Sequence, residues 1–115
     1  PKKTDEEKEA RSAAIQAATL FATQVPLHTM QASFKVFELC KAMAEEGNPN
    51  SVSDAGVGVL AARAAVLGAG LNVKINASGL KDREAADKLV GEANELIKKA
   101  NELEAEIMKI VEDKL

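Results

Sequence analysis

The sequence predicts an all-α protein, an elongated bundle of long helices completed by further helices or a second subunit. Three observations carry this. Aromatic residues make up only 3% of the 115 residues, three Phe with no Trp or Tyr, so the core must be built from Ala, Leu, Val and Ile. Small side chains let helix axes approach closely, whereas a β-sandwich would call for more aromatic and β-branched residues in alternation. Apolar residues recur at spacings of three and four along most of the chain. Helix-start signals and breakers fall where those periodic runs begin and end.

By length the chain is one all-helical domain or domain fragment, and a domain of this size hides roughly two thirds of its unfolded surface. Net charge is −3, and the 15 basic residues are interleaved with 18 acidic ones. No basic stripe exists for a phosphate backbone, so nucleic acid is not an expected partner. A single Cys forms no internal disulfide, and nothing at the start resembles a secretory segment; both point to a reducing, cytoplasmic setting. Pro1 in place of an initiator Met gives the expectation that the N-terminus is processed, trimmed or part of something longer.

Four helices are expected, over about 5–24, 26–46, 52–79 and 82–114. Thr4 followed by Glu7 reads as a capping box, the glutamate reaching back to the cap. Ala10, Ala14, Ala17, Ala18 and Phe21 then form an apolar face. Pro26 removes a helical hydrogen bond and restricts the residue before it, which places a kink or break at Gln24 and Val25. The apolar face resumes with Met30, Phe34, Phe37, Cys40 and Met43 and stops at Gly47, a position suited to a left-handed cap. The segment GNPNSVSD, Gly47 to Asp54, is rich in groups that make local side-chain bonds and reads as a structured loop. Ser51 or Ser53 can cap the next helix.

That helix is apolar on nearly every side from Ala55 to Leu71, which requires burial all round or a membrane. The apolar run is shorter than the roughly 20 residues a span needs, and Arg63 near its centre costs roughly 2.5–3.5 kcal/mol on insertion scales. A central helix surrounded by neighbours is therefore expected, with Gly56, Gly58, Ala62, Gly68 and Gly70 permitting close approach. Asp82 caps the last helix, about 50 Å long, whose seam runs through Ala86, Leu89, Ala93, Leu96, Ala100, Leu103, Ile107 and Ile110 in heptad spacing.

Few residues offer chemistry. His28 is alone and without ligand spacing, so no metal site is expected. Cys40 lies on an apolar stripe, where a free thiol acts as a small hydrophobe. No nucleophile elbow, Walker loop or Cys-x-x-Cys pair is present. Asp54 stands among Asn48, Asn50, Ser51 and Ser53 at a helix N-terminus, either as part of an Asx-rich cap or as a functional carboxylate. Asn72 and Asn76 share one helix face, bonded either between helices or to a ligand. Arg63 needs a carboxylate, a carbonyl or a bound anion.

The run from Val25 to Asp82, above all GNPNSVSD and NVKIN, resembles the cyclodeaminase and cyclohydrolase family that includes the cyclodeaminase half of formiminotransferase-cyclodeaminase. The resemblance implies an all-helical, usually dimeric domain acting on one-carbon units carried by tetrahydrofolate. Members close a formimino group into the methenyl bridge with release of ammonia, or hydrolyse that bridge to the formyl form, through a tetrahedral carbon between two folate nitrogens. Of these, cyclodeamination is the first expectation and methenyltetrahydrofolate hydrolysis the alternative; a non-enzymatic, self-associating helical module is the alternative of another class. On this resemblance Asp54 is the proton shuttle or electrostatic partner of the methenyl group, oriented by Ser53 and Asn48, with Asn72 and Asn76 at the pterin and Arg63 toward an anionic tail. No metal or cofactor beyond the folate substrate is implied, no membrane is involved, and a formiminotransferase is a candidate partner. Family domains begin with an upstream helical portion carrying a Pro-Gly-Gly-Gly-Ser kind of segment, and nothing here corresponds to it. The chain resembles only the later part of the domain, so further helices are expected outside it.

Overall fold

The structure, a computed structural model, describes residues 3–115. It contains three helices, α1 (Asp5–Glu46), α2 (Val52–Ala77) and α3 (Arg83–Asp113), with a 3-10 turn at Pro49–Ser51 joining the first two. Both connections are short, so successive helices run antiparallel, and each helix packs on the other two. The molecule is a rod of 67 × 21 × 15 Å.

The capping expectations hold with adjustments. Thr4 Oγ1 accepts from the Glu7 N–H at 3.1 Å, but the Glu7 carboxylate reaches one residue past the cap, to the Lys3 N–H at 2.9 Å. Asp82 caps α3 by accepting from the Ala85 N–H at 3.1 Å. Gly47 ends α1 in an extended conformation, φ −76° and ψ −179°, not the left-handed one expected. Glycine is needed there for space, because a Cβ would stand 2.5 Å from the Met43 carbonyl oxygen. The α1 carbonyls of Ala44 and Glu45 are closed by the Lys114 ammonium at the far end of α3.

The expected break at Gln24 and Val25 does not occur. α1 runs unbroken through Pro26, making one helix where two were expected. Pro26 has no N–H to give the carbonyl of Ala22, four residues earlier. Asn76 of α2 donates its side-chain N–H to that carbonyl at 2.9 Å, so the acceptor that proline leaves open is satisfied from the neighbouring helix.

The core follows the heptads. On α3 Ala86, Ala93, Ala100 and Ile107, each seven residues apart, are fully buried, and Leu89, Leu96, Leu103 and Ile110 flank them half-buried. Three of these four central positions are Ala, which brings α3 close to α2. At Gly70 the approach is close enough that a Cβ would lie 2.9 Å from Ile97 Cδ1, and at Gly58 2.8 Å from Cys40 Sγ. Gly68 is different, since nothing lies within 4 Å of its Cβ position.

Two expectations about burial fail. Ala10, Ala14, Ala17, Ala18 and Phe21 are exposed, Phe21 at 67%. A helix of 42 residues is about 63 Å long and one of 26 about 39 Å, so Ala10 and Ala14 project past the end of α2, whereas Phe21 lies beside α2 on the open side of the groove. α2 is likewise not surrounded. One half of its circumference packs on α1 and α3, and the other leaves Val57, Leu60, Leu71 and Ile75 exposed at 45–68%. The length argument against a membrane span also falls, because the helical segment of 29 residues from Pro49 to Ala77 is long and apolar enough by composition. Arg63 remains, and it is turned toward α3, where its Nε–H donates to Asn101 Oδ1 at 2.7 Å.

The Pro26–Asn76 pair gives a double-mutant test. Asn76→Leu should lower stability by roughly 0.5–1.5 kcal/mol, the net worth of one hydrogen bond at an open groove, and Pro26→Ala in that background should restore most of it by returning an N–H to Ala22. Urea titration of the four proteins reads the coupling.

Candidate functional site

At the N-terminal end of α2, the expected cluster resolves into turn chemistry. Asn48 Oδ1 accepts from the Asn50 N–H at 3.0 Å and caps the 3-10 turn. Ser51 occupies the N-cap of α2 without a side-chain bond, and Ser53 and Asp54 follow in the first turn, both exposed. The first turn is where the positive end of the helix dipole lies, and Asp54 is the acidic residue in it. Asp54 lines none of the larger depressions among the described residues; the one formed by Met43, Gly47, Pro49, Val52 and Lys114 lies at the same end of α2.

A better-formed concavity lies toward the other end of α2. Phe21, Val25, Pro26 and Thr29 of α1 face Ala65, Gly68, Asn72 and Asn76 of α2 across an open groove of about 770 Å³. Its walls are apolar, its floor is widened by the missing side chain at Gly68, and its polar groups are two amides and a hydroxyl. This is the composition of a small-molecule site, where a few fixed polar groups orient an otherwise apolar ligand. Asn76 is oriented, because its N–H is committed to the Ala22 carbonyl and its Oδ1 is left as an acceptor beside the groove. Asn72, one turn earlier, is exposed at the groove wall. The interhelical reading of Asn76 holds, and its remaining Oδ1 acceptor lines the groove.

The six candidate residues do not form one site within a single chain. Asp54 and Asn72 lie on the same meridian of α2 but five turns apart, about 27 Å along the axis. Arg63 points away from both, toward Asn101 of α3. Ser53 and Asn48 stay with Asp54, and Asn76 stays with Asn72. His28 is exposed between Gln24 and Gln31 on the α1–α3 side, and among the described residues no group of three metal-ligating side chains gathers. Cys40 is buried against Gly58, and burial pushes its thiol pKa up, which disfavours the nucleophilic thiolate. Lys41 is raised by its hydrogen bond and charge pairing with Glu106, at 2.8 Å, on an exposed flank.

Phe21, Val25 and Thr29 were not anticipated as site residues. Their one sequence signal was Pro26, since a proline inside a long apolar helix leaves an acceptor that something polar must answer. Gly68 supplies a direct check on the groove. Gly68→Ala adds a methyl that meets nothing within 4 Å and improves helix propensity by roughly 1 kcal/mol, so thermal melting should rise while ligand binding in the groove weakens.

The comparisons with known proteins come down on the side of the resemblance. A family model described as formiminotransferase-cyclodeaminase matches residues 1–95. A methenyltetrahydrofolate cyclohydrolase of Methylorubrum extorquens is 45% identical over all 115 residues, which cover 55% of that protein. A formimidoyltransferase-cyclodeaminase of Dictyostelium discoideum is 34% identical over 104 residues, 90% of this chain and 19% of that one. Its counterpart in Gallus gallus is 30% identical over 112 residues, 97% of this chain and 21% of that one. The chain thus spans about half the length of the cyclohydrolase it matches and about a fifth of the two longer relatives. With more than half its length matched by the family model, the chain belongs to the formiminotransferase-cyclodeaminase family.

Proposed function

We propose that this chain is the later part of a folate one-carbon enzyme that acts at the methenyl bridge of tetrahydrofolate, and that its reaction is methenyltetrahydrofolate hydrolysis. The observation that carries the choice of reaction is the 45% identity, over the whole chain, to a protein named methenyltetrahydrofolate cyclohydrolase. The preference for cyclodeamination drawn from the sequence becomes the second reading, favoured by the two relatives named for that activity at 34% and 30%. Under that second reading, a formiminotransferase, fused or separate, supplies the substrate.

The α1–α2 groove is the proposed substrate surface. A pterin is flat, with hydrogen-bonding edges and apolar faces, and fits a wall of Val25, Pro26 and Gly68 with Asn72 and the Asn76 acceptor at its edge. In hydrolysis water adds to the methenyl carbon, one carbon–nitrogen bond breaks and a proton leaves. In cyclodeamination the ring closes onto the same carbon and ammonia leaves. Either needs a group to move a proton and stabilise the cationic carbon, which an ionised carboxylate does without a metal or further cofactor. Asp54, with Ser53 and Asn48 beside it, is the proposed carboxylate. Arg63 is kept as a tail-binding candidate only through the guanidinium nitrogens that Asn101 does not hold. The setting proposed is cytoplasmic.

The test uses both substrates. Loss of the near-ultraviolet absorbance of methenyltetrahydrofolate reports hydrolysis, and ammonia release from the formimino substrate reports cyclodeamination. Hydrolysis should be found, and Asp54→Asn should remove it with the melting temperature unchanged. Full activity in Asp54→Asn would dismiss the carboxylate's role, and inactivity toward both substrates, with self-association intact, would leave the helical module as the reading.

A further inference from the structure

A side-chain amide is nearly symmetric in shape, with an oxygen that accepts at one tip and an NH2 that donates at the other. A ligand can therefore read its polarity only where something else fixes which tip faces it. Two amides line the α1–α2 groove. Asn72 is exposed at the wall and free to present either tip. Asn76 is held, because its Nδ2 donates to the Ala22 carbonyl at 2.9 Å. Turning it over would set Oδ1 against that carbonyl oxygen, two acceptors face to face with neither bonded. In an ordinary helix the turn would cost less, since the N–H four residues on already satisfies the carbonyl. At Ala22 that N–H is missing, because position 26 is a proline inside α1. The orientation of Asn76 is thus enforced by a residue that makes no hydrogen bond to it.

We infer that Pro26, acting through Asn76, sets the hydrogen-bond polarity of the groove, so that it takes a flat heteroaromatic ring presenting an amino group there and rejects the analogue presenting a carbonyl. The kind of ring rests on the folate reading; the polarity rests on the relay from Pro26 through Ala22 to Asn76.

The rest of the groove leaves the choice to this relay. Apart from the amides, its lining is apolar save for Thr29, and no charged side chain belongs to it. Thr29 lies about two turns along α1 from Ala22, and its hydroxyl donates to the Val25 carbonyl at 3.3 Å, which leaves its oxygen to accept. Both polar groups with a committed hydrogen are therefore acceptors toward the groove. A ring edge with N–H donors matches them, and no charge is present to draw a carboxylate or phosphate in their place. The aminopyrimidinone ring of pterin offers an amino group beside a ring N–H. Lumazine has the same bicyclic outline with a carbonyl where that amino group stands. Against Oδ1 the amino group bonds, whereas the carbonyl meets a like lone pair, so lumazine is rejected by an unfavourable contact as well as by a lost favourable one.

Equilibrium binding of pterin and of lumazine, followed by their own fluorescence, reads the polarity without any turnover. The wild-type chain should bind pterin about tenfold more tightly than lumazine, the worth of one discriminating hydrogen bond. Pro26→Ala returns an N–H to Ala22, so the Asn76 amide turns over without leaving that carbonyl unanswered. Its preference should fall to about twofold, mainly through tighter binding of lumazine, while the melting temperature does not fall. Asn76→Leu should abolish the preference, and adding Pro26→Ala to it should change the preference no further, which marks Pro26 as a positioning residue acting through Asn76. A merely structural proline predicts that Pro26→Ala shifts both affinities in proportion; a preference retained in that variant would overturn the inference and leave the folate reading standing. Equal wild-type affinity for the two rings would overturn Oδ1 as the reading group. No binding of pterin by the wild-type chain would bring down the folate reading of the groove and the inference with it.

Discussion

The hydrogen bond from Asn76 to the Ala22 carbonyl answers from α2 the acceptor that Pro26 leaves open in α1. A proline near the middle of a 42-residue helix removes one rung and pushes its ring toward the carbonyl four residues earlier, which ordinarily kinks or stops the helix. Here the displaced carbonyl faces a donor on α2, so α1 continues and its second half stays in register with α2 and α3 down to Lys114. The same contact fixes where the two helices touch. It places Pro26 at the groove edge and turns the Asn76 amide so that its oxygen lines the opening. One interhelical bond therefore sets both the continuity of the scaffold and the polarity of the concave surface.

The spacing of α2 against its neighbours is the second constraint. Alanine at three of the four central α3 positions and glycine at 58 and 70 of α2 bring the axes so close that added methyl groups would collide. This tight seam compensates for the weak helix propensity of glycine, roughly 1 kcal/mol per residue. It does so only on one side. On the other, Ala61, Ala64 and Gly68 present a surface as small-featured as the buried one, facing nothing within this chain.

Much of this was legible in the sequence because it is local. The caps at Thr4 and Asp82 are made by residues three positions apart, and the α3 seam needs only a count of seven. The resemblance carried by GNPNSVSD and NVKIN named the family before any geometry was known. What was not legible depends on distant residues. The acceptor that Pro26 leaves open is answered by an asparagine 50 positions on, and whether Ala14 is buried is decided by how far α2 extends. Apolar periodicity showed which side chains could face a partner. It could not show that the partner was absent from the chain.

The candidate site shows the same division in sharper form. Asp54, Asn72 and Asn76 were chosen for chemical type, and type is independent of position. Helix geometry then separates Asp54 from Asn72 by five turns while keeping them on one meridian, which is incompatible with a single small-molecule site in one chain. The turn at Asp54 and the groove at Asn72 are therefore two separate surfaces of the chain, which residue type alone would have merged.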